Sequence, residues 1–178
     1  MRVLLLCSSG ADLSVNRGSS GGRTNHMTTG SSQDQFLAAS QKAKNRLEYL
    51  TPNDWSLILD KAKKVTFRKG EMLLQYRKQI KTVYLLVQGR AKVEVSKASI
   101  AEVGPGEICG EMAFLENGLA SATVTAQEPV EAYAIDWATL GDLFEMFPHL
   151  ASRLYRSIAV SLSRRLREQI VSKQVVKI

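Results

Sequence analysis

The stretch best equipped for chemistry runs from Gly106 to Ala126 and reads GEICGEMAFLENGLASATVTA. Glycine-rich backbone followed by a short helical turn aims several N–H groups at an anion, and the acid Glu111, next to Gly110, is suited to accept hydrogen bonds from a sugar hydroxyl. Phosphate and ribose would thus be held side by side. A Gly-Glu pair in a turn is also common, and each residue has a structural use beside the functional one: Gly110 for backbone geometry, Glu111 as a helix cap, Ser121 to satisfy its own strand. Other chemistries lack their residues. The two histidines are His26 and His149, too few for the ligand cluster of a metal-dependent double-stranded β-helix enzyme. The two cysteines, Cys7 and Cys109, show no CxxC or CxxxC spacing, so neither a zinc site nor a disulfide framework is expected. No Ser/His/Asp or Cys/His arrangement has supporting residues, and the chain is read as a non-enzyme without a cofactor.

The elements that must position this stretch follow from periodicity. Residues 8–33 are mostly Ser, Gly, Thr and Asn, with too little apolar surface to offset ordering entropy, so 1–33 is expected to be a flexible leader. The His26-Met27 pair inside it looks like a cloning junction or an alternative start. From Asp34 to Leu50 apolar residues recur at helical spacing, at Phe36, Leu37, Ala39, Ala43, Leu47 and Leu50, which predicts an amphipathic helix. Thr51 before Pro52 is a favourable N-cap and first turn, opening a second helix that ends near Lys63. The period then becomes strand-like, with short apolar runs at 65–67, 72–75, 83–87, 100–103, 122–126 and 130–135, and an alternating run at 91–95. Many short strands with regular turns indicate an antiparallel sandwich or barrel. Asp136 can cap a helix carrying Leu140, Leu143, Phe144 and Phe147, which Pro148 breaks. A last helix carries Leu150, Leu154, Ile158, Leu162, Leu166 and Ile170 at steps of four, a stripe suited to dock on the barrel and then on a partner.

With these elements in place, 106–126 resembles the phosphate-binding cassette of cyclic nucleotide-binding domains, whose usual form is F-G-E-[LM]-x-x-L followed by P-R-[AST]-A-[ST]-V. The resemblance extends from about Leu50 to Gln169 and includes the L-T-P-x-D-W helix at Leu50 to Trp55, Gly70, the Y-x-x-x-x-G hairpin at Tyr84 to Gly89, and Gly104-Pro105-Gly106. It implies a mainly β, α+β fold: an antiparallel β-roll, or jelly roll, over 64–136, flanked by N-terminal helices at 34–63 and the family's B and C helices at 137–172, all within one domain at 34–178. It implies that Gly110 and Glu111 meet the ribose, with Glu111 accepting from the 2′-hydroxyl. The amides of Met112 and Ala113 would face the phosphate, and Ser121 would donate to phosphate or base. The ligand so implied is cyclic AMP or cyclic GMP.

Four residues depart from the pattern. Ala120 stands where the family has its phosphate-clamping arginine, Leu119 where proline is usual, Cys109 for phenylalanine and Arg77 for a glycine. A guanidinium makes two charge-assisted bonds to phosphate, each contributing about 1.5–3 kcal/mol, so its loss implies about a hundredfold or more in affinity. Arg77, Lys78, Lys81 and Arg90 lie in or beside turns and are read as surface charges. An apolar ligand in a cavity walled by Met112, Phe114 and Leu119 is the other ligand class that these residues suggest.

Composition agrees with one globular module. Of 178 residues 44% are hydrophobic and 23% charged, and no run approaches the about 20 apolar residues of a membrane span. The apolar run in Met1 to Cys7 is short of a signal-peptide core, and Leu6 stands where a lipoprotein cysteine wants a small residue, so a cytoplasmic protein is expected. The formal charge of +7 is concentrated in the last helix, at Arg153, Arg156, Arg164, Arg165, Arg167, Lys173 and Lys177, and is read as a solvated face that complements the helix dipole. With the chain stopping at Ile178, direct DNA binding is not expected. The leading reading is a regulatory module that senses a small ligand and transmits it through its last helix, with weak or atypical nucleotide binding. The alternative is a degenerate domain without a nucleotide ligand, serving protein interaction or homodimerisation through that helix.

Overall fold

The computed structural model describes residues 31–175, with side chains to Val171. The expectations placed on Cys7, the His26-Met27 pair and the rest of 1–30 lie outside the described residues. In chain order the elements are α1 (Ser32–Lys42), α2 (Pro52–Lys61), β1 (Lys63–Phe67), β2 (Met72–Leu74), β3 (Thr82–Gln88), β4 (Ala91–Val95), β5 (Ala98–Val103), β6 (Ile108–Cys109), α3 (Glu111–Glu116), β7 (Thr123–Ala126), β8 (Val130–Asp136), α4 (Trp137–Met146) and α5 (Pro148–Val175).

Side chains set the helix starts. Ser31 caps α1 in a reciprocal box with Asp34, Thr51 caps α2 in the same way with Asp54, and Asp136 caps α4 by accepting from the Thr139 amide. Ser31 to Gln33, expected within the leader, instead form the cap and first turn of α1. That helix also stops at Lys42 rather than Leu50. Ala43 is extended, turns follow at 44–45 and 48–49, and the Asn45 and Tyr49 amides donate to the side chains of Glu107 and Ser157 instead of to helical carbonyls. Leu47 and Leu50 still reach the core, so the apolar spacing that suggested a longer helix is satisfied by an irregular segment.

The strands form two antiparallel four-stranded sheets, ordered β1-β8-β3-β6 and β2-β7-β4-β5. Their facing sides bury Leu73, Leu74, Leu86, Val103, Val124, Val130 and Ala132. A second core lies between the first sheet and the helices, where Phe36, Trp55, Ile58, Leu85, Tyr133, Leu143, Leu150 and Ile158 pack together, with Phe36 edge-on to Trp55 at a 5.0 Å ring separation. Gly106 lets α1 sit on this layer: its φ is +81° and a Cβ there would lie 2.5 Å from the Ala39 backbone.

The segment 44–54 clamps α5 along its length. Lys44 pairs with Glu168 at 2.9 Å, Glu48 with Arg164 at 2.6 Å, and Ser161 Oγ donates to the Asn45 carbonyl at 3.2 Å. At the far end Arg153 donates twice to Asp54, at 2.6 and 2.7 Å. Part of the basic run is thus not a solvated face: Arg153 and Arg164 are tied to acids on the preceding helix and loop. Asp54 is 2% exposed. Burial alone would raise its pKa, but the Arg153 bond and those from Thr51 together hold the carboxyl below its ordinary value. A lowered pKa adds stability that is present above the unfolded-state value and is lost as pH falls through the folded one. Asp54→Asn is therefore expected to lower the melting temperature by several degrees at neutral pH, with the gap closing below about pH 4, measurable by thermal melts across that range.

Candidate functional site

The cassette forms where β6 runs into α3. Gly110 caps α3 at φ +89°, and a Cβ there would lie 2.9 Å from the Thr82 carbonyl oxygen. Close approach of β3 thus requires glycine. Beyond α3, the chain returns through Leu119, bridged to Gln79. Ala120 is held there by its amide donating to the Lys78 carbonyl and its carbonyl accepting from the Arg77 amide, both at 2.9 Å. Arg77 itself adopts φ +60°, a left-handed conformation that explains why the resemblance calls for glycine at that turn.

Between this cassette, the second sheet and α5 lies a cavity of about 470 Å³, inside the about 300–1,000 Å³ range of small-molecule sites. All six residues singled out from sequence line it: Gly110, Glu111, Met112, Ala113, Ala120 and Ser121. Ala113 and Ala120 are buried wall, Met112 is 41% exposed at the mouth, and the Ser121 hydroxyl contacts Met112 Sδ at 3.5 Å. The rest of the wall is mostly apolar. Of the three residues expected to wall an apolar site, Met112 does so, whereas Phe114 belongs to an aromatic cluster with Trp137, Phe144 and Tyr155, and Leu119 is 52% exposed outside the lining. None of Arg77, Lys78, Lys81 or Arg90 lines the cavity. Lys81 instead lies over the Trp137 ring at 4.6 Å, and Arg77 over Tyr76.

The residue that sequence reasoning missed is Arg165. It reaches inward from α5 and donates to Glu111 Oε1 at 2.7 Å and to the Ile108 carbonyl at 3.2 Å, so this member of the basic run also leaves the solvated face. Glu111 is 4% exposed. Burial holds its carboxyl above the usual carboxylate range, against the pull of the Arg165 charge and with a push in the same direction from Glu107. Glu107 is buried in turn and accepts from the Asn45 amide and side chain and from the Gly104 amide. Cys109 also lines the cavity. Burial pushes its thiol far up, which keeps it protonated and unreactive at neutral pH.

The short helix α3 and the long helix α5 thus line one half-open pocket of a jelly roll, together with the second sheet. Residues 64–147 match the family model for the cyclic nucleotide-binding domain. Over 139 residues it is 27% identical to cyclic GMP-binding protein C of Dictyostelium discoideum, covering 71% of this chain and 5% of that protein. It is 28% identical over 124 residues to the cyclic AMP receptor protein of Thermus thermophilus, covering 67% of this chain and 56% of that one. The chain thus spans less than two thirds of either relative. The structure of a cyclic nucleotide-binding domain from Methylobacillus flagellatus superposes with a TM-score of 0.68 at 19% identity, covering 82% of this chain and 84% of that chain, which shows the shared fold. Among the described residues no helix is long and apolar enough to cross a membrane.

Proposed function

We propose that the chain acts by binding alone: a small molecule enters between the roll and the cassette, and its presence is read out as a change in the seating of α5. One observation carries this reading, the wall shared between the cassette and that helix. Gly110 to Ala113 line one side of the cavity and Leu162, Arg165, Leu166 and Gln169 of α5 line another, with the Glu111–Arg165 bond joining them. A ligand that engages Glu111 changes what holds Arg165, and so interacts differently with the seated and unseated helix, the condition for shifting their populations. Within this reading cyclic nucleotides bind weakly, because Ala120 offers no cation where the phosphate would lie, and the module works in the cytoplasm, where its thiols stay reduced. Calorimetric titration with cyclic AMP, cyclic GMP and cyclic dinucleotides is expected to give weak but measurable heats. Silence up to millimolar concentration rejects the nucleotide version.

A second reading is favoured by the end of α5. Leu166, Ile170 and Val171 are 59%, 48% and 59% exposed, an apolar face suited to a partner helix or a second copy. A protein that stays monomeric by light scattering and retrieves no partner would sink that reading.

A further inference from the structure

We infer that the cavity selects an uncharged, predominantly apolar small molecule carrying one hydrogen-bond donor for Glu111, and discriminates against phosphate esters. This rests on the proposal that the cavity is a ligand site, and it names the class of ligand. The charge inventory comes first. The charged side chains in the lining are Glu102, Glu111 and Arg165, two acids against one base. The guanidinium commits two of its about five N–H donors to Glu111 and the Ile108 carbonyl and its charge is balanced by Glu111, so an entering anion meets no unpaired positive charge and one acid in excess. Burying an ion without a partner costs several kcal/mol, and the neutral amide dipoles at the start of α3 offset only part of that.

The rest of the wall points the same way. Leu74, Val93, Ile100 and Val124 of the second sheet face Leu162 and Leu166 of α5 across the space. An apolar molecule gains about 25 cal/mol for each Å² removed from water here, and a charged phosphate loses its hydration without an unpaired cation to replace it. Glu111 supplies the orienting contact. A carboxylate offers about four acceptor positions, and Arg165 uses one of those on Oε1, so a ligand hydroxyl or N–H can be received without breaking the ion pair.

The test is fluorescence titration of the full chain with N-phenylnaphthylamine, an uncharged apolar fluorophore bearing one N–H, beside calorimetric titration with cyclic AMP. Two wall variants, Val95→Trp and Ile100→Trp, fill the cavity from positions that are half-buried and exposed, with thermal melts to show that each is folded. The expected result is saturable probe binding at least about tenfold tighter than cyclic AMP, and weakened about tenfold or more by both variants. Cyclic AMP binding more tightly than the probe would overturn the ligand class while leaving the sensor reading standing. Probe binding unaffected by the folded variants would place the probe elsewhere and overturn the inference. Binding of neither compound would overturn both the inference and the ligand-sensor reading.

Discussion

Ala120→Arg is expected to bind cyclic AMP about a hundredfold more tightly than the wild type, measured by calorimetry under identical salt. Ala120 is 3% exposed and sits on the cavity wall, and its backbone is pinned by the Lys78 and Arg77 bonds, so a longer side chain must extend into the cavity rather than away from it. Two charge-assisted bonds from a guanidinium to a phosphate contribute about 1.5–3 kcal/mol each, and a hundredfold is about 2.7 kcal/mol, close to the low end of their sum at about 3 kcal/mol. The low end is the appropriate one, because without ligand the new cation can turn toward Glu111 and compete with Arg165. The free variant is for the same reason expected to melt below the wild type, and to recover when cyclic AMP is added, since a ligand that binds only the folded form stabilises by mass action. An unchanged affinity in a folded variant would show that the missing arginine is not what limits nucleotide binding.

Arg165→Met carries the second large effect. Removing the guanidinium leaves Glu111 buried with no opposite charge, a change that costs about 3–5 kcal/mol in buried pairs. Arg165 retains 21% side-chain exposure, so about 3 kcal/mol is expected, a drop of roughly 10 °C in melting temperature for a domain this size. The effect depends on pH in a definite sense. The Glu111 carboxyl is already held above its ordinary value, so its shift favours folding below the unfolded-state value and that benefit is lost as pH rises through the folded one. Taking away Arg165 raises the folded value further. The penalty of Arg165→Met is therefore expected to be small near pH 4 and to grow toward neutrality. Adding Glu111→Gln to Arg165→Met removes the stranded charge and is expected to recover most of the loss at pH 7. A double variant as unstable as the single one would mean that Arg165 acts through packing and not through its pairing with Glu111.

The cassette was legible in sequence because it is local. Gly110 and Glu111 are neighbours in a tight turn before a short helix, and the resemblance to the family's cassette added Met112 and Ala113 beside them; the structure puts all four on one wall. Ala120 and Ser121 were placed by aligning the S-A-T-V-T-A end with the family's cassette. Arg165 was not, because it lies 54 residues from Glu111 on a helix rich in basic residues, and nothing in a one-dimensional pattern tells which arginine of a run turns inward. A signal was available in hindsight: Leu162 and Leu166 belong to the apolar stripe, and Arg165 is next to that stripe at the level where the stripe passes from core to cavity. The same limit explains α1. Leu47 and Leu50 kept helical spacing, yet Ser157 and Glu107, distant in sequence, captured the backbone amides that would have continued the helix. Burial at a given period was read correctly there; the partner of the backbone was not.

Hydrogen exchange during ligand titration bears most directly on the claim that the cavity and α5 work as one unit. Any compound of the series that binds is expected to slow exchange together in two segments far apart in sequence, 108–113 of the cassette and 161–170 of α5. Binding that protects the cassette while leaving 161–170 unchanged, or that protects neither, would contradict the account.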